Sequence, residues 1–348
     1  MRIFKGMGDY FALDIGTKSI RVVQLARQGD DSWSLLHVGY ASVDAQTVAS
    51  DSEEARRKLG QAIQSVVAQA GISATNCVLG LESSKTFTTM VQLPKMSESD
   101  RAGTLKYQAD KYIPMPLDDA KIDWAVLGDS PEDPAQDEVL LASVTQEYVE
   151  NLVDMVDSLG FNVIAAEPSP IAMLRAVVPA TAKGGCMVID IGERSTDVVI
   201  TIDGSPRLVR TLPTGFQMMV RTITQAMNAK DEQAQQFLLK FGLEKEKLEG
   251  QVYQALDATL ENFIAELTKS IKFLQTKYPA VTVESINVVG YAATIPLLAE
   301  FVAERLATPV QVTSPWQKVA IPDTERERMA AVEYEFATAV GLAQRVLK

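Results

Sequence analysis

Apolar residues along this chain keep two rhythms, short continuous runs and longer stretches with the period of a helix, and their alternation predicts a mixed α/β protein. The first run, Tyr10 to Leu13, predicts a strand that ends on Asp14 and a glycine turn, followed by a returning strand rich in β-branched residues. A third strand is expected around Trp33 to Val43. A helix is expected from about Ser52 to Ala70, with Ser50 and Glu53 at capping-box spacing and Gly71 as its stop. Asn76 to Leu81 then completes a β-β-β-α-β unit.

That order recurs downstream. Strands at Met187, Val198 and Leu208 precede a helix that begins near Gly215 and Phe216 and runs to Met227. Helices are expected at 231–241 and 251–278, the longer carrying an apolar stripe at Val252, Leu256, Leu260, Ile264, Leu267, Ile271, Leu274 and Tyr278 that favours a packed helix over a coiled coil. The strand at 285–289 runs into Gly290, and a helix follows from Ile295 to about Leu306. Between the halves, from about Phe87 to Glu167, lies a different unit. It reads as a strand at 88–93, a helix from Ser97 to Tyr112, the stop Ile113-Pro114-Met115-Pro116, strands near Trp124 and Leu140 around a loop at 129–137, and a helix from Glu147 to Leu159 closed by Gly160. Near the end, Tyr334 to Ala343 predicts a helix of small residues, suited to a close crossing between two lobes at a hinge or to plain terminal packing.

Two segments match each other: Asp14-Ile15-Gly16-Thr17-Lys18-Ser19-Ile20-Arg21-Val22-Val23 and Asp190-Ile191-Gly192-Glu193-Arg194-Ser195-Thr196-Asp197-Val198-Val199. Each reads as a β-hairpin in which a strand delivers an Asp, a Gly turn and a hydroxyl-bearing tip. The glycines are expected to supply positive φ and to let backbone N–H groups approach a phosphate. Asp14 and Asp190 are expected beside a hydrated Mg²⁺ that bridges phosphates, because that cation prefers carboxylate and water oxygens. Two such hairpins facing each other would clasp one polyphosphate. The repeat predicts a duplicated α/β lobe and, with it, an actin-like, ribonuclease H-like two-lobed fold.

Composition narrows the partners. The chain has 348 residues, too many for one ordinary core, with 47% hydrophobic and 22% charged residues. A net charge of −12 without a dense basic stripe argues against nucleic acid as the main partner and against anionic membrane surfaces. Cys77 and Cys186 sit in apolar runs without metal-ligand spacing and read as reduced core residues. The only histidine, His37, reads as a strand residue, which leaves no histidine-based triad. Residues 1–6 do not read as a secretory signal, and no apolar run is long enough to cross a membrane, so the expected location is the cytoplasm, with membrane contact only through a partner.

The insert carries Lys111-Tyr112-Ile113-Pro114-Met115-Pro116-Leu117-Asp118 and then Ile122-Asp123-Trp124-Ala125-Val126-Leu127. After these come Val139 to Val144, Gly160 to Pro168, and the ending Ala339-Val340-Gly341-Leu342-Ala343-Gln344-Arg345. In this collinear order, over nearly the whole chain, the sequence resembles the PilM family of type IV pilus assembly. The resemblance implies an α/β, actin-like fold of the FtsA/PilM type with a small α/β insert and ATP with Mg²⁺ in the cleft between lobes. It also implies a groove between the first subdomain and the insert that receives the N-terminal cytoplasmic peptide of PilN. The implied division is 8–86 for the first lobe core, completed by about 166–180 and 325–348, and 87–165 for the insert. The second lobe core is 181–228, completed by about 281–324, with 229–280 as its helical subdomain.

Residue by residue, Asp14, Gly16, Thr17, Lys18 and Ser19 match the family's first phosphate loop, and Asp190, Gly192, Ser195 and Thr196 the second. Gly215 matches a glycine after the second lobe's third strand. Tyr112, Pro114 and Pro116 border the implied partner groove. The pattern departs at the nucleoside, where a Gly-Gly pair is replaced by Gly290-Tyr291, leaving Tyr291 either to stack on adenine or to fill its place. An acidic-then-Lys pair is replaced by Gln235 and Leu238, with Lys240 out of step, and Glu193 and Arg194 occupy the second loop. The expected function is a scaffold, not an enzyme, at most a slow ATPase. The alternatives are a kinase or chaperone-like ATPase using Asp190 or Asp197, a type II secretion platform component, and FtsA, whose C-terminal amphipathic helix is not expected in a chain ending at Lys348.

Overall fold

The computed structural model describes residues 9–346; the readings of residues 1–6 and of Lys348 lie outside them. Four strands open the chain: β1 (Tyr10–Ile15), β2 (Ser19–Arg27), β3 (Trp33–Ser42) and β4 (Asn76–Leu81). The insert contributes β5 (Thr86–Pro94), β6 (Ala120–Asp129) and β7 (Gln136–Thr145), and β8 (Asn162–Pro168) follows the next helix. The second half contributes β9 (Gly185–Ile191), β10 (Thr196–Ile202), β11 (Ser205–Leu212), β12 (Val283–Gly290) and β13 (Val310–Val312), and β14 (Val319–Ala320) returns to the first sheet.

These elements form two compact units. The first holds residues 9–85, 146–177 and 315–346 around a sheet of order β14-β3-β2-β1-β4-β8. Its hairpin strands alternate side chains between two buried faces. On one, Phe11, Leu13, Ile20 and Val22 pack against Leu59, Ile63, Val66 and Val67 of the helix Glu53–Gln69. Against β1, β2 and β4 also lies the helix Ala337–Ala343, every residue of which is buried. The cap of the helix Glu53–Gln69 is Ser52, whose hydroxyl accepts from the Ala55 N–H; Ser50, at the expected spacing, instead accepts from the Ser52 N–H. His37 sits on β3 as expected, its ring Nδ1 2.8 Å from the Ala70 carbonyl at the end of that helix.

The second unit holds residues 86–145 and 178–314. Its larger sheet runs β11-β10-β9-β12-β13, which repeats β3-β2-β1-β4-β8 strand for strand: three antiparallel strands, then two added in parallel. The duplication read from two Asp-x-Gly segments therefore extends to whole sheets. The stripe of the helix Gln251–Lys277 is buried at Val252, Leu256, Leu260, Leu267 and Leu274, against Met219 and Ile223 of the helix Phe216–Met227. The insert adds a three-stranded sheet, β5-β7-β6, with Leu105 and Ile113 packed on Val91, Val139 and Leu141.

Two elements lie elsewhere than the sequence pattern places them. The helix Gln146–Ser158 and β8, read as the end of the insert, belong to the first unit, where Val156 is buried with Phe11 and β8 pairs parallel to β4. Asn162 to Ala166 carries too few polar residues to show alternation, so only its pairing reveals it as a strand. The small-residue helix packs within the first unit: a Cβ on Gly341 would fall 1.9 Å from the Ala172 carbonyl oxygen of the helix Ser169–Val177.

Candidate functional site

Both hairpins close with the same bond. The Gly16 N–H donates to the Ser19 carbonyl at 2.9 Å, and the Gly192 N–H to the Ser195 carbonyl at 2.9 Å. Neither glycine has positive φ, contrary to the reading from sequence. At Gly16 a Cβ would lie 2.2 Å from Arg21 Nη2, so a side chain there would displace the guanidinium.

In the first hairpin, Asp14 is directly opposite Arg21 in the antiparallel register, so their side chains share a face. Arg21 Nη1 meets Asp14 Oδ2 at 2.8 Å, Nη2 donates to the Ser19 hydroxyl at 3.0 Å, and Glu335 Oε2 is 3.7 Å away. The Ser19 hydroxyl donates to Glu335 Oε2 at 2.6 Å, and Tyr40 donates to Oε1 at 3.1 Å. Burial pushes the Asp14 carboxyl above the usual range, Arg21 pulls it back, and Glu335 adds to the rise. Asp14, expected beside Mg²⁺, is thus engaged by a guanidinium, and Ser19 by a carboxylate. Thr17 is half-buried and Lys18 exposed at the tip.

The second hairpin gathers most of the remaining predicted residues. Asp190 and Asp197 are register partners where the first hairpin has Asp14 and Arg21. Two carboxylates therefore stand where the other copy has an ion pair, with Asp197 also accepting from the Thr211 hydroxyl at 2.8 Å. Gly215 precedes the helix Phe216–Met227, and its bareness lets that helix dock on the loop: a Cβ would lie 2.5 Å from the Ser195 nitrogen. The Phe216 and Gln217 N–H groups donate to the Gly192 and Glu193 carbonyls, so the loop itself uses these helix-end donors. Thr196, fully buried, donates its hydroxyl to the Thr214 carbonyl at 2.6 Å. Glu193 is buried beside this positive helix end, while Arg194 is exposed.

Gly290 ends β12, parallel to β9, with φ of 66°. A Cβ there would fall 2.2 Å from Asp190 Oδ1, which places bare backbone over that carboxylate. Tyr291 next to it stacks on Phe216, with ring centroids 4.1 Å apart and planes 14° from parallel. Leu238 is core, and Lys240 lies 5.3 Å from the Phe241 ring centre. In the insert, Tyr112 is half-buried against the insert core, while Pro114 and Pro116 are exposed.

Each within its own unit, the two hairpins offer different chemistry. Arg21 is a cation of the kind that binds phosphate oxygens, and the Asp190–Asp197 pair offers carboxylates of the kind a hydrated Mg²⁺ prefers; among the described residues no group of three or more His, Cys, Asp or Glu side chains is arranged to hold a metal. Sequence reading missed Arg21, Glu335, Tyr40 and Phe216. Arg21 had a signal, a charge inside an apolar strand; Glu335, 316 positions from Ser19, had none.

Comparison with known proteins bears on the fold. A solved PilM–PilN type IV pilus biogenesis complex contains a chain 22% identical over 97% of this chain and 98% of that one, with a TM-score of 0.81. The ethanolamine utilization protein EutJ of Carboxydothermus hydrogenoformans matches with 14% identity over 97% of this chain and 90% of that one, TM-score 0.52. MreB 5 of Spiroplasma citri bound to AMPPNP matches with 11% identity over 95% and 94%, TM-score 0.53. The fold is actin-like. Among the described residues no helix is long and apolar enough to cross a membrane. The model of the type IV pilus assembly protein PilM matches residues 12–347, and the chain belongs to that family.

Proposed function

We propose that this chain is a scaffold of the type IV pilus assembly platform that binds the N-terminal cytoplasmic peptide of a PilN-type membrane protein and reaches the inner face of the membrane through it. The observation that carries the reading is the family match over residues 12–347; likeness to a chain of a solved PilM–PilN complex supports the partner. Tyr112, Pro114 and Pro116 are the proposed partner-side residues. Two exposed prolines with fixed φ, following a half-buried aromatic, offer a pre-set surface to an extended peptide.

ATP with Mg²⁺ is the proposed ligand of the two hairpins, by analogy with the AMPPNP-bound MreB of the same fold. The tip residues Thr17, Lys18 and Ser195, with Arg21, would face phosphates, while Gly16 and Gly192 close the turns that present them; Asp190 with Asp197 would hold the hydrated cation; Gly290 and Tyr291 would border the nucleoside. In this role the chain is a binding protein, with at most slow hydrolysis of the nucleotide.

The test is calorimetric titration of the folded protein with the N-terminal peptide of the PilN protein encoded in the same genome. Saturable binding weakened several-fold by Tyr112→Ala is the expected outcome. Absence of heat, with circular dichroism showing a folded protein, would remove the scaffold reading.

A further inference from the structure

The insert leaves and rejoins the chain through the first unit, at Lys85 and Gln146, yet it is compact with the second sheet. One buried cluster joins insert and sheet. Glu138, on β7, is fully buried, and its carboxylate meets Arg207 of β11 at 2.7 Å, Lys277 Nζ at 3.4 Å and the Tyr278 hydroxyl, which donates to it. Arg207 and Tyr278 are themselves buried, and the Lys277 ammonium lies 5.2 Å from the Tyr278 ring centre. The Arg207 N–H is not aimed along its 2.7 Å contact, which makes that contact an ion pair more than an aligned hydrogen bond. Alongside, β5 runs against β11.

A carboxylate removed from water is tolerable only when its partners are all in place, and one left buried with half its partners is strongly unfavourable. Partial separation of β7 from β11 and the end of the helix Gln251–Lys277 is therefore the costly state. We propose that the Glu138 cluster is a latch that makes the insert and the second sheet open as one unit, so that a ligand on the insert and a ligand at the Asp190 hairpin stabilise the same body. This inference does not depend on what the insert binds.

Native-state hydrogen exchange of the full chain, read by mass spectrometry, tests it. Peptides of β5, β6 and β7 are expected to share the opening equilibrium of β11 in the wild type. In Glu138→Gln, protection of the insert falls on the order of a hundredfold, while β1 and β4 keep theirs. Tyr278→Phe removes one partner without unpairing Arg207 and lowers protection of β7 and β11 together, by roughly tenfold. Should Glu138→Gln not fold, the wild type and Tyr278→Phe still decide. Insert strands that open independently of β11 in the wild type, or a Tyr278→Phe effect confined to β11, would overturn the latch.

Discussion

Arg21 is a cation flanked by Ile20 and Val22, both fully buried, and such a placement is stable only where anions meet it. Asp14 and Glu335 do so from one sheet strand and one distant turn. Removing the guanidinium leaves two carboxylates facing each other, so Arg21→Ala is expected to lose about 3 kcal/mol in urea denaturation. Adding Glu335→Gln recovers part of that loss, a non-additivity readable in a double-mutant cycle. The same variant probes the nucleotide proposal. Arg21→Ala weakens ATP binding with or without Mg²⁺, whereas Asp190→Ala weakens only the Mg²⁺-dependent part; titrations unchanged by either substitution would remove the nucleotide from these hairpins. Tyr10 gives a pH-dependent case. Its hydroxyl donates to the Ala343 and Arg345 carbonyls at 2.8 and 2.7 Å, and burial pushes its pKa up to about 12. The fold thus favours the neutral phenol. That contribution is complete below the ordinary phenol value near 10 and is lost as pH rises through about 12. The stability advantage of wild type over Tyr10→Phe, about 1 kcal/mol at pH 8, is expected to shrink between pH 10 and 12. An advantage constant across that range would show that folding does not raise the phenol's pKa.

Among the elements, glycine separates contact from conformation. Gly341 faces the Ala172 carbonyl at a distance no Cβ permits, so Gly341→Ala must push two helices apart and is expected to cost about 1–3 kcal/mol. Gly103, exposed in the helix Glu98–Gln108 with nothing within 4 Å, is the control: Gly103→Ala is expected to gain roughly 0.5–1 kcal/mol. Thermal denaturation of both variants separates the two effects, and equal shifts would refute the close-packing account. The contrast also marks what was legible from sequence. The hairpins, the long amphipathic helix and the insert strands were readable because period and turn chemistry are local. The helix Ser169–Val177 was not, because it is buried on nearly all sides and shows no polar face to set a period. The short β13 and β14 were equally silent, being held by pairing with β12 and β3 and not by their own pattern. At the site, the Asp-x-Gly pair was readable as a repeat, while the different charge opposite each Asp emerged only from strand register.

At the scale of the whole molecule the governing quantity is charge. Asp and Glu number 45 against 33 Lys and Arg, a net charge of −12, so an anionic bilayer repels the protein as a body unless a local feature overcomes the mean field. None of the described helices is both long and apolar enough to span a bilayer, and the large exposed apolar residues, among them Tyr107, Phe273 and Val312, lie on separate elements. On the scaffold reading proposed above, attachment at a pilus platform would come from the partner's own membrane segment through the contact to its peptide. Flotation on vesicles rich in anionic lipid checks this. The protein alone is expected to stay in the dense fraction at low and at physiological salt, and to rise with the vesicles once the PilN-type protein is reconstituted in them. Weakening the peptide contact by Tyr112→Ala should leave the protein behind even with the partner present. Flotation of the wild type on bare vesicles would instead place a membrane-binding element in this chain and would separate the scaffold role from dependence on the partner for location.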